Sequence, residues 1–278
     1  MAVYRYKVFD PSGNVTALVM GLEQDAAKRR AVCDAVLAAR GDIEQVGFVS
    51  EGGEAPTLCM AGGEFCGNAT RSAVWHFLNG QPGEMTIRVM VDENTRELGA
   101  GVTASHEVWA HVPVQDRPGN VWHVGDGLYF VEMEGIAHLV VAQRQAEVYL
   151  QGLDMAESEH RALLKTYGRK LLQKHKLLTR KAVGVMFCES VLDLVKIHPC
   201  VFINTVGTEY YEMACGSGSL AVAMVSTTMR GGSGGLPVLQ PSGKVITAVV
   251  EYRAGVVSGA AISGGMCAEA EVLEIEVL

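Results

Sequence analysis

Short runs of Val, Ile, Leu and Tyr recur along most of the chain, and they predict a protein built mainly from β-strands. Most runs are bounded by Gly, Pro, Asp or Asn, as is typical of strands that end in turns. The predicted strands cover residues 3–8, 15–20, 85–91, 108–114, 128–132, 138–142, 182–187, 200–204, 245–252 and 272–277.

Four segments have the pattern of helices. Residues 25–40 place four apolar side chains on one face, and Gly41 follows as a stop signal. Residues 156–177 are heavily charged, which predicts a solvated outer helix. The other two helices each begin at a Cys-Gly pair, one at Cys66 and one at Cys215.

The two Cys-Gly helices have similar surroundings, which indicates an internal duplication. The first reads CGNATRSAVWHFL and the second CGSGSLAVAMVST. A pair of strands joined by a Gly-containing turn precedes each helix, at residues 4–19 and 128–140. Such repetition predicts an α+β fold of two pseudo-symmetric, β-rich halves, each wrapped around one helix. This symmetry would bring the two helix N-termini face to face across a cleft.

Composition narrows the class of protein. The 278 residues are 49% hydrophobic and 19% charged, as expected of a packed globular protein. The net charge of −8 makes nucleic acid an unfavourable partner. Charged residues near the start interrupt the apolar run that a signal peptide needs, and no apolar run is long enough to span a membrane. We therefore expect a cytoplasmic protein with no membrane partner.

The seven cysteines are an odd number, and none forms a C-x-x-C pair. We therefore expect free thiols, no disulfide framework and no metal site. Five of the cysteines lie in apolar or turn contexts and are predicted to be core or inert residues: Cys33, Cys59, Cys188, Cys200 and Cys267.

Two thiols at two helix starts are suited to an enzyme that inverts the configuration of a carbon atom. Racemisation removes a proton from one face of a Cα atom and returns one to the other, which calls for a base and an acid. The pKa of a free cysteine is about 8.5, and a helix N-terminus lowers it. Backbone N–H groups at these helix starts can hold the substrate carboxylate, and they belong to Gly67, Asn68, Gly216 and Ser217. The chain has no cofactor motif, and we expect no cofactor.

The segments GGEFCGNATRS and MACGSGSLAVA resemble the paired signatures of the diaminopimelate epimerase superfamily, whose members need no pyridoxal phosphate. This resemblance implies two β-barrel-like halves with the active site between them. The halves would cover residues 1–118, completed by 268–278, and residues 119–267. It also implies that Cys66 and Cys215 are catalytic, that Asn14 holds the substrate, and that the protein can form a homodimer.

In diaminopimelate epimerases, an arginine in the segment before the second cysteine binds the distal carboxylate of the substrate. Residues 206–214, which form that segment here, contain no arginine. The blocks FDPSGNVT, EQVGF and GGEFCGNAT instead resemble the histidine racemases of an opine metallophore pathway. That likeness implies that Glu44 faces the imidazole of the substrate and that Glu212 holds its ammonium group. It also implies that the product, D-histidine, enters a metallophore.

Several alternatives stay open from the sequence alone. The substrate could be diaminopimelate or another amino acid, the chemistry could be a one-base proton shift, and the two thiols could form a redox-active dithiol. Glu44 could be a solvated loop residue, and Glu212 could be an ordinary helix cap. His138 is predicted to be structural, with a place at the cleft border as the alternative. The segment GGSGG at 231–235 is predicted to be a flexible loop and not a nucleophile elbow.

Overall fold

The computed structural model describes residues 2–91, 94–114 and 120–277. Contacts between Cα atoms divide the chain into two compact units, Met1–Val112 with Ser263–Leu278, and Pro113–Ile262. The predicted boundary between residues 118 and 119 lies outside the described residues.

Strands dominate the described structure, as the sequence predicts, and five helices interrupt them. The elements are, in chain order, β1 (Ala2–Asp10), β2 (Thr16–Met20), α1 (Ala26–Ala39), β3 (Gln45–Ser50), β4 (Thr57–Met60), α2 (Gly67–Phe77), β5 (Gly83–Val91), β6 (Asn94–Val102), β7 (Val108–His111), β8 (Val121–Gly125), β9 (Leu128–Glu132), β10 (Ala137–Val141), α3 (Gln143–Leu150), α4 (Ser158–Lys174), β11 (Ala182–Val191), β12 (Leu194–Ile203), β13 (Thr208–Tyr211), α5 (Gly216–Arg230), β14 (Gly234–Leu239), β15 (Val245–Arg253), β16 (Val256–Gly264), β17 (Cys267–Ala268) and β18 (Leu273–Val277).

The strands of the first unit form one run of neighbours. The hairpin β1–β2 is antiparallel, β2 pairs parallel with β3, and β3 pairs antiparallel with β4. Strand β4 then pairs parallel with β5, and β5 pairs antiparallel with β6. The late strand β18 joins this run by pairing antiparallel with β1. Residues from both ends of the chain therefore build the first unit.

The second unit repeats the same order of pairing senses. The hairpin β9–β10 is antiparallel, β10 pairs parallel with β11, and β11 pairs antiparallel with β12. Strand β12 then pairs parallel with β14, and β14 pairs antiparallel with β15.

One helix in each unit packs against several strands of that unit. Helix α2 packs against strands β2 to β7, and its residues 67–74 are all buried. Helix α5 packs against β9, β10, β11, β14 and β15, and its residues 216–225 are all buried. Over this length α5 is apolar or small on every side, and α2 is so except at Asn68 and Arg71.

The outer helices cover the strands from outside. Helix α1 starts at the N-cap Asp25, whose carboxylate accepts from two backbone N–H groups, and it buries Val32, Cys33 and Val36. Helix α4, predicted as a solvated outer helix, buries one face against the core of the second unit through Leu164, Leu171 and Leu172 and leaves its charged residues outside.

Two further findings concern segments that the sequence analysis discussed. Only part of the GGSGG segment is a loop, because Gly231 closes α5 in the left-handed conformation and strand β14 begins at Gly234. Among the residues that the structure describes, every helix is too short or too polar to span a membrane.

Candidate active site

Cys66 is the N-cap of helix α2, and its sulfur lies at the positive end of that helix. The residue has extended backbone angles, and its Sγ accepts a hydrogen bond from the backbone N–H of Ala69 at 3.3 Å. The hydroxyl of Thr70 donates to the carbonyl oxygen of Cys66 at 2.8 Å and fixes the first turn. A sulfur in this place is favoured as a thiolate by the unpaired N–H groups of the first turn.

Cys215 has the same geometry at the start of helix α5. Its Sγ accepts from the backbone N–H of Gly218 at 3.3 Å, and the hydroxyl of Ser219 donates to its carbonyl oxygen at 2.7 Å. Both cysteines are buried. The prediction that each of these cysteines lies at a helix start is therefore confirmed in both units.

Three of the predicted site residues lie together near Cys66. The Asn14 amide donates to the Glu44 carboxylate at 2.6 Å and accepts from the Asn68 amide at 3.2 Å. Asn14 and Asn68 are fully buried, whereas Glu44 is half-buried. The side chains of Asn14 and Asn68 thus form a polar chain that begins at Glu44 and runs into the first turn of α2.

Gln45 is a site residue that the sequence reasoning missed. Its Oε1 lies 2.5 Å from the Sγ of Cys66, so the thiol donates to this amide oxygen. The signal was present, because Gln45 belongs to the EQVGF block that supplied Glu44.

Glu212 lies against the thiol of Cys215. It is buried, and burial raises the pKa of Cys215 well above its usual value. The negative charge of Glu212 and its hydrogen bond with the thiol raise this pKa further, whereas Ser217 and the N–H of Gly218 lower it. These surroundings favour the protonated form of the Cys215 thiol.

Ser217 connects Cys215 to His138. The hydroxyl of Ser217 lies 3.6 Å from the Sγ of Cys215 and 2.9 Å from the Nε2 of His138. Burial lowers the pKa of His138 to about 3, so its ring is neutral. This histidine, predicted to be structural, is therefore one hydrogen bond away from a site residue.

Gln240 is a second residue that the sequence reasoning missed. Its Oε1 accepts from the backbone N–H of Cys215 at 2.9 Å, and its Nε2 donates to the hydroxyl of Ser219 and to the carbonyl of Val238, each at 2.9 Å. The side chain is fully buried. It directly precedes the PSGK turn at residues 241–244.

The Glu212→Gln variant should ionise Cys215 at lower pH, because it removes a negative charge that opposes the thiolate. We expect the midpoint of Cys215 alkylation by iodoacetamide to fall by about one pH unit, measured by mass spectrometry of the Cys215 peptide. Glu209→Gln, an exposed change on the same segment, is the control. An unmoved midpoint would mean that burial alone holds the thiol protonated.

The other cysteines fit their predicted core or inert places. Cys33 and Cys188 are buried, and burial raises the pKa of each thiol to about 12. Cys59 and Cys200 are buried, whereas Cys267 is exposed in β17. Within the described ranges, no group of three His, Cys, Asp or Glu side chains is placed to hold a metal ion.

Comparisons with known proteins point to one group of enzymes. The family model described as the histidine racemase CntK N-terminal domain matches residues 4–271. A histidine racemase of Staphylococcus aureus (strain Mu50) is 26% identical over 259 residues, which is 88% of each chain.

Two solved structures share the fold. A probable proline racemase from Agrobacterium radiobacter has a TM-score of 0.62 at 12% identity, and the match covers 99% of this chain and 93% of that one. A hydroxyproline epimerase from Agrobacterium vitis has a TM-score of 0.59 at 14% identity, and the match covers 98% of this chain and 92% of that one. The mixed, sheet-dominated fold is therefore one that racemases and epimerases use.

Proposed function

Because this chain belongs to the family of the histidine racemase CntK N-terminal domain and is an isomerase, we propose that it interconverts L- and D-histidine with Cys66 and Cys215 as acid and base. The observation that carries the proposal is the matched geometry of the two thiols. Each sulfur caps a buried helix and accepts from the third backbone N–H after it, at 3.3 Å in both cases.

The mechanism follows from the chemistry of these helix starts. A thiolate removes the Cα proton of the bound amino acid, and the electron pair moves into the carboxylate. The N–H groups of Gly67 and Asn68, and those of Gly216 and Ser217, are suited to stabilise the charge that develops there. The second thiol then donates its proton to the opposite face, which leaves it as the thiolate. The reverse reaction uses the same groups in exchanged roles.

A two-base mechanism requires both thiols to reach one Cα atom. We propose that the two units are pseudo-symmetric halves, since they share the same order of strand pairing and each encloses one Cys-capped helix.

Histidine is favoured as the substrate by the acidic residue near Cys66. Glu44 is half-buried, and one of its carboxylate oxygens accepts from Asn14. A carboxylate makes a charge-assisted hydrogen bond with the N–H of an imidazole ring. We further propose that D-histidine is the product supplied to a metal-chelating opine.

Incubation of the purified protein with single L-amino acids in D₂O tests the proposed function. With histidine, we expect deuterium at Cα together with loss of optical rotation. Diaminopimelate and aliphatic amino acids are the comparison substrates. If no amino acid gains deuterium while both thiols are reduced, the proposal is wrong. If another amino acid turns over much faster than histidine, only the substrate assignment is wrong.

The Glu44→Gln variant should lose activity mainly with histidine, since it removes the charge that is proposed to face the imidazole. We expect kcat/KM for histidine to fall about tenfold or more, as for the loss of a charge-assisted hydrogen bond, with a smaller change for alanine. Glu51→Gln, at an exposed site, is the control. An equal loss with both substrates would instead assign Glu44 to holding Asn14.

A further inference from the structure

A cavity of about 510 Å³ lies beside strands β11, β12 and β13, and all of its lining residues belong to the second unit. This volume is in the range of sites that bind small molecules. One part of the lining is apolar and includes Leu150, Leu153, Met155 and Met213, while the other part carries charged and hydrogen-bonding side chains.

The cavity lies on the opposite face of these strands from helix α5. His198 of the cavity is the cross-strand partner of Phe187, so both side chains point to one face. Phe187 belongs to the core cluster that α3 and α4 cover. Its neighbour Met186 points to the other face, where its sulfur lies against Gly218 in the first turn of α5. The cavity is therefore separate from the thiol of Cys215.

A chain of hydrogen bonds crosses the polar wall of the cavity. The Nε2 of His198 lies 3.1 Å from a carboxylate oxygen of Glu189, and its Nδ1 lies 2.8 Å from the hydroxyl of Tyr211. An ionised carboxylate only accepts, so Nε2 carries the proton, and burial, which lowers the pKa of His198, favours the neutral ring. The Tyr211 hydroxyl therefore donates to Nδ1, and its oxygen keeps acceptor capacity of its own.

Arg161 places a fixed cation at the same cavity. Its Nη1 donates to the carbonyl oxygens of Met155 and Ala156, each at 2.8 Å, which holds the guanidinium in one orientation. Among the residues that the structure describes, none accepts a hydrogen bond from its Nε or Nη2. These two nitrogens form an edge that can bind a carboxylate through two parallel hydrogen bonds.

The other charges around the cavity favour a ligand with a single negative charge. Lys196 lies 3.6 Å from Glu189, so these two charges offset each other. The carboxylate of Asp154, which also lines the cavity, would repel a second negative charge on a ligand. A carboxylate is therefore favoured over a phosphate dianion, and the apolar lining is suited to a hydrocarbon body.

We propose that this cavity is a second binding site, which takes a small organic carboxylate with an apolar body. The Nε and Nη2 of Arg161 bind the carboxylate, and the apolar lining contacts the rest of the ligand. The Tyr211 oxygen accepts from a donor group where the ligand has one. The inference goes beyond the proposed function, because neither Cys66 nor Cys215 takes part in this binding.

Isothermal titration calorimetry of the full chain with hexanoate tests the proposal. Hexanoate has one carboxylate and an apolar body, and it lacks the ammonium group of an amino acid. We expect saturable binding with a Kd of about 1 mM or lower. Hexanol, which lacks the charge, and inorganic phosphate, which lacks the apolar body, should each bind at least about tenfold more weakly.

The Arg161→Gln variant should raise the Kd for hexanoate about tenfold or more, because it loses the charge-assisted hydrogen bonds. Arg161→Lys keeps the charge but not the edge of two nitrogens, and it should also bind more weakly. Lys170→Gln is the matched control, because it removes an exposed positive charge from the same helix and should keep the wild-type Kd.

Ala156→Phe is a second test in case the Arg161 variants do not fold. Ala156 is exposed at the cavity, and it holds Arg161 only through its backbone carbonyl. The larger side chain should fill part of the cavity and weaken hexanoate binding about tenfold or more, while Arg161 stays in place.

The proposal is overturned if hexanoate shows no binding up to about 10 mM, or if hexanol or phosphate binds as well as hexanoate. It is also overturned if the folded Arg161→Gln or Ala156→Phe protein keeps the wild-type Kd, since hexanoate would then bind elsewhere. Hexanoate has no amino group and is no substrate for an amino-acid racemase. Failure of this titration would therefore leave the proposed function intact, and failure of the racemase assay would leave this site intact.

Discussion

Replacing either Cys66 or Cys215 by serine is expected to abolish racemisation of histidine. A serine hydroxyl is far too weak an acid to form the alkoxide base, and each change leaves one face of Cα without a proton donor or acceptor. General acid–base groups contribute about 10²–10⁴-fold to rate, so we expect kcat to fall by about 10³-fold or more in each variant. Chiral chromatography of the product in both directions measures this loss.

Deuterium exchange at Cα shows whether the remaining thiol of each variant still acts as a base. Slow exchange at Cα without inversion is the signature expected of one surviving base. Cys267→Ser is the matched control, because this thiol is exposed in β17 and should be dispensable. A Cys66→Ser or Cys215→Ser variant that racemises at nearly the wild-type rate would refute the two-base assignment.

The position of Cys66 and Cys215 at two helix starts could be predicted because the signals for a helix N-terminus are local. A cysteine that caps a helix has its hydrogen-bond partner three residues later in the chain. The approach segment, the cysteine and the first turn were therefore all visible in the sequence around Cys66 and Cys215. The same holds for helix α1, where Asp25 caps the first turn as its residue type favours.

The partners of these thiols could not be predicted in the same way. Gln45 and Gln240 reach the two cysteines through the pairing and packing of strands, and Arg71 reaches its acceptors through the packing of α2. Gln240 is 25 residues from Cys215, and Arg71 joins Ser12 to Gly265. No local pattern marks an arginine inside a helix as buried, since most arginines lie at the surface.

The glycine-containing strand β6 was not predicted by the sequence pattern either. Strand β6 contains Gly99 and Gly101, although glycine is depleted in strands. A Cβ atom on Gly101 would lie 2.5 Å from the carbonyl oxygen of Gly83 and 2.9 Å from the ring nitrogen of Trp109. Close approach of neighbouring strands therefore requires the glycine, and this need is set by tertiary contacts that the local sequence does not contain.

The Gln240→Leu variant is expected to destabilise the fold. Gln240 makes three buried hydrogen bonds, and leucine of similar size leaves the N–H of Cys215, the hydroxyl of Ser219 and the carbonyl of Val238 without this partner. Each unsatisfied buried group costs about 1–3 kcal/mol, and the apolar leucine recovers part of this. We expect the free energy of unfolding to fall by about 2–4 kcal/mol in urea titrations.

The same variant should lose activity even where it is still folded. The hydrogen bond that Gln240 accepts from the N–H of Cys215 fixes this peptide group. Small errors in the position of a catalytic group reduce rate by large factors. We therefore expect kcat to fall with Cys215 intact, while the exposed control Gln151→Leu changes neither stability nor kcat. Normal stability together with normal kcat in Gln240→Leu would show that the first turn of α5 positions Cys215 without the hydrogen bonds of Gln240.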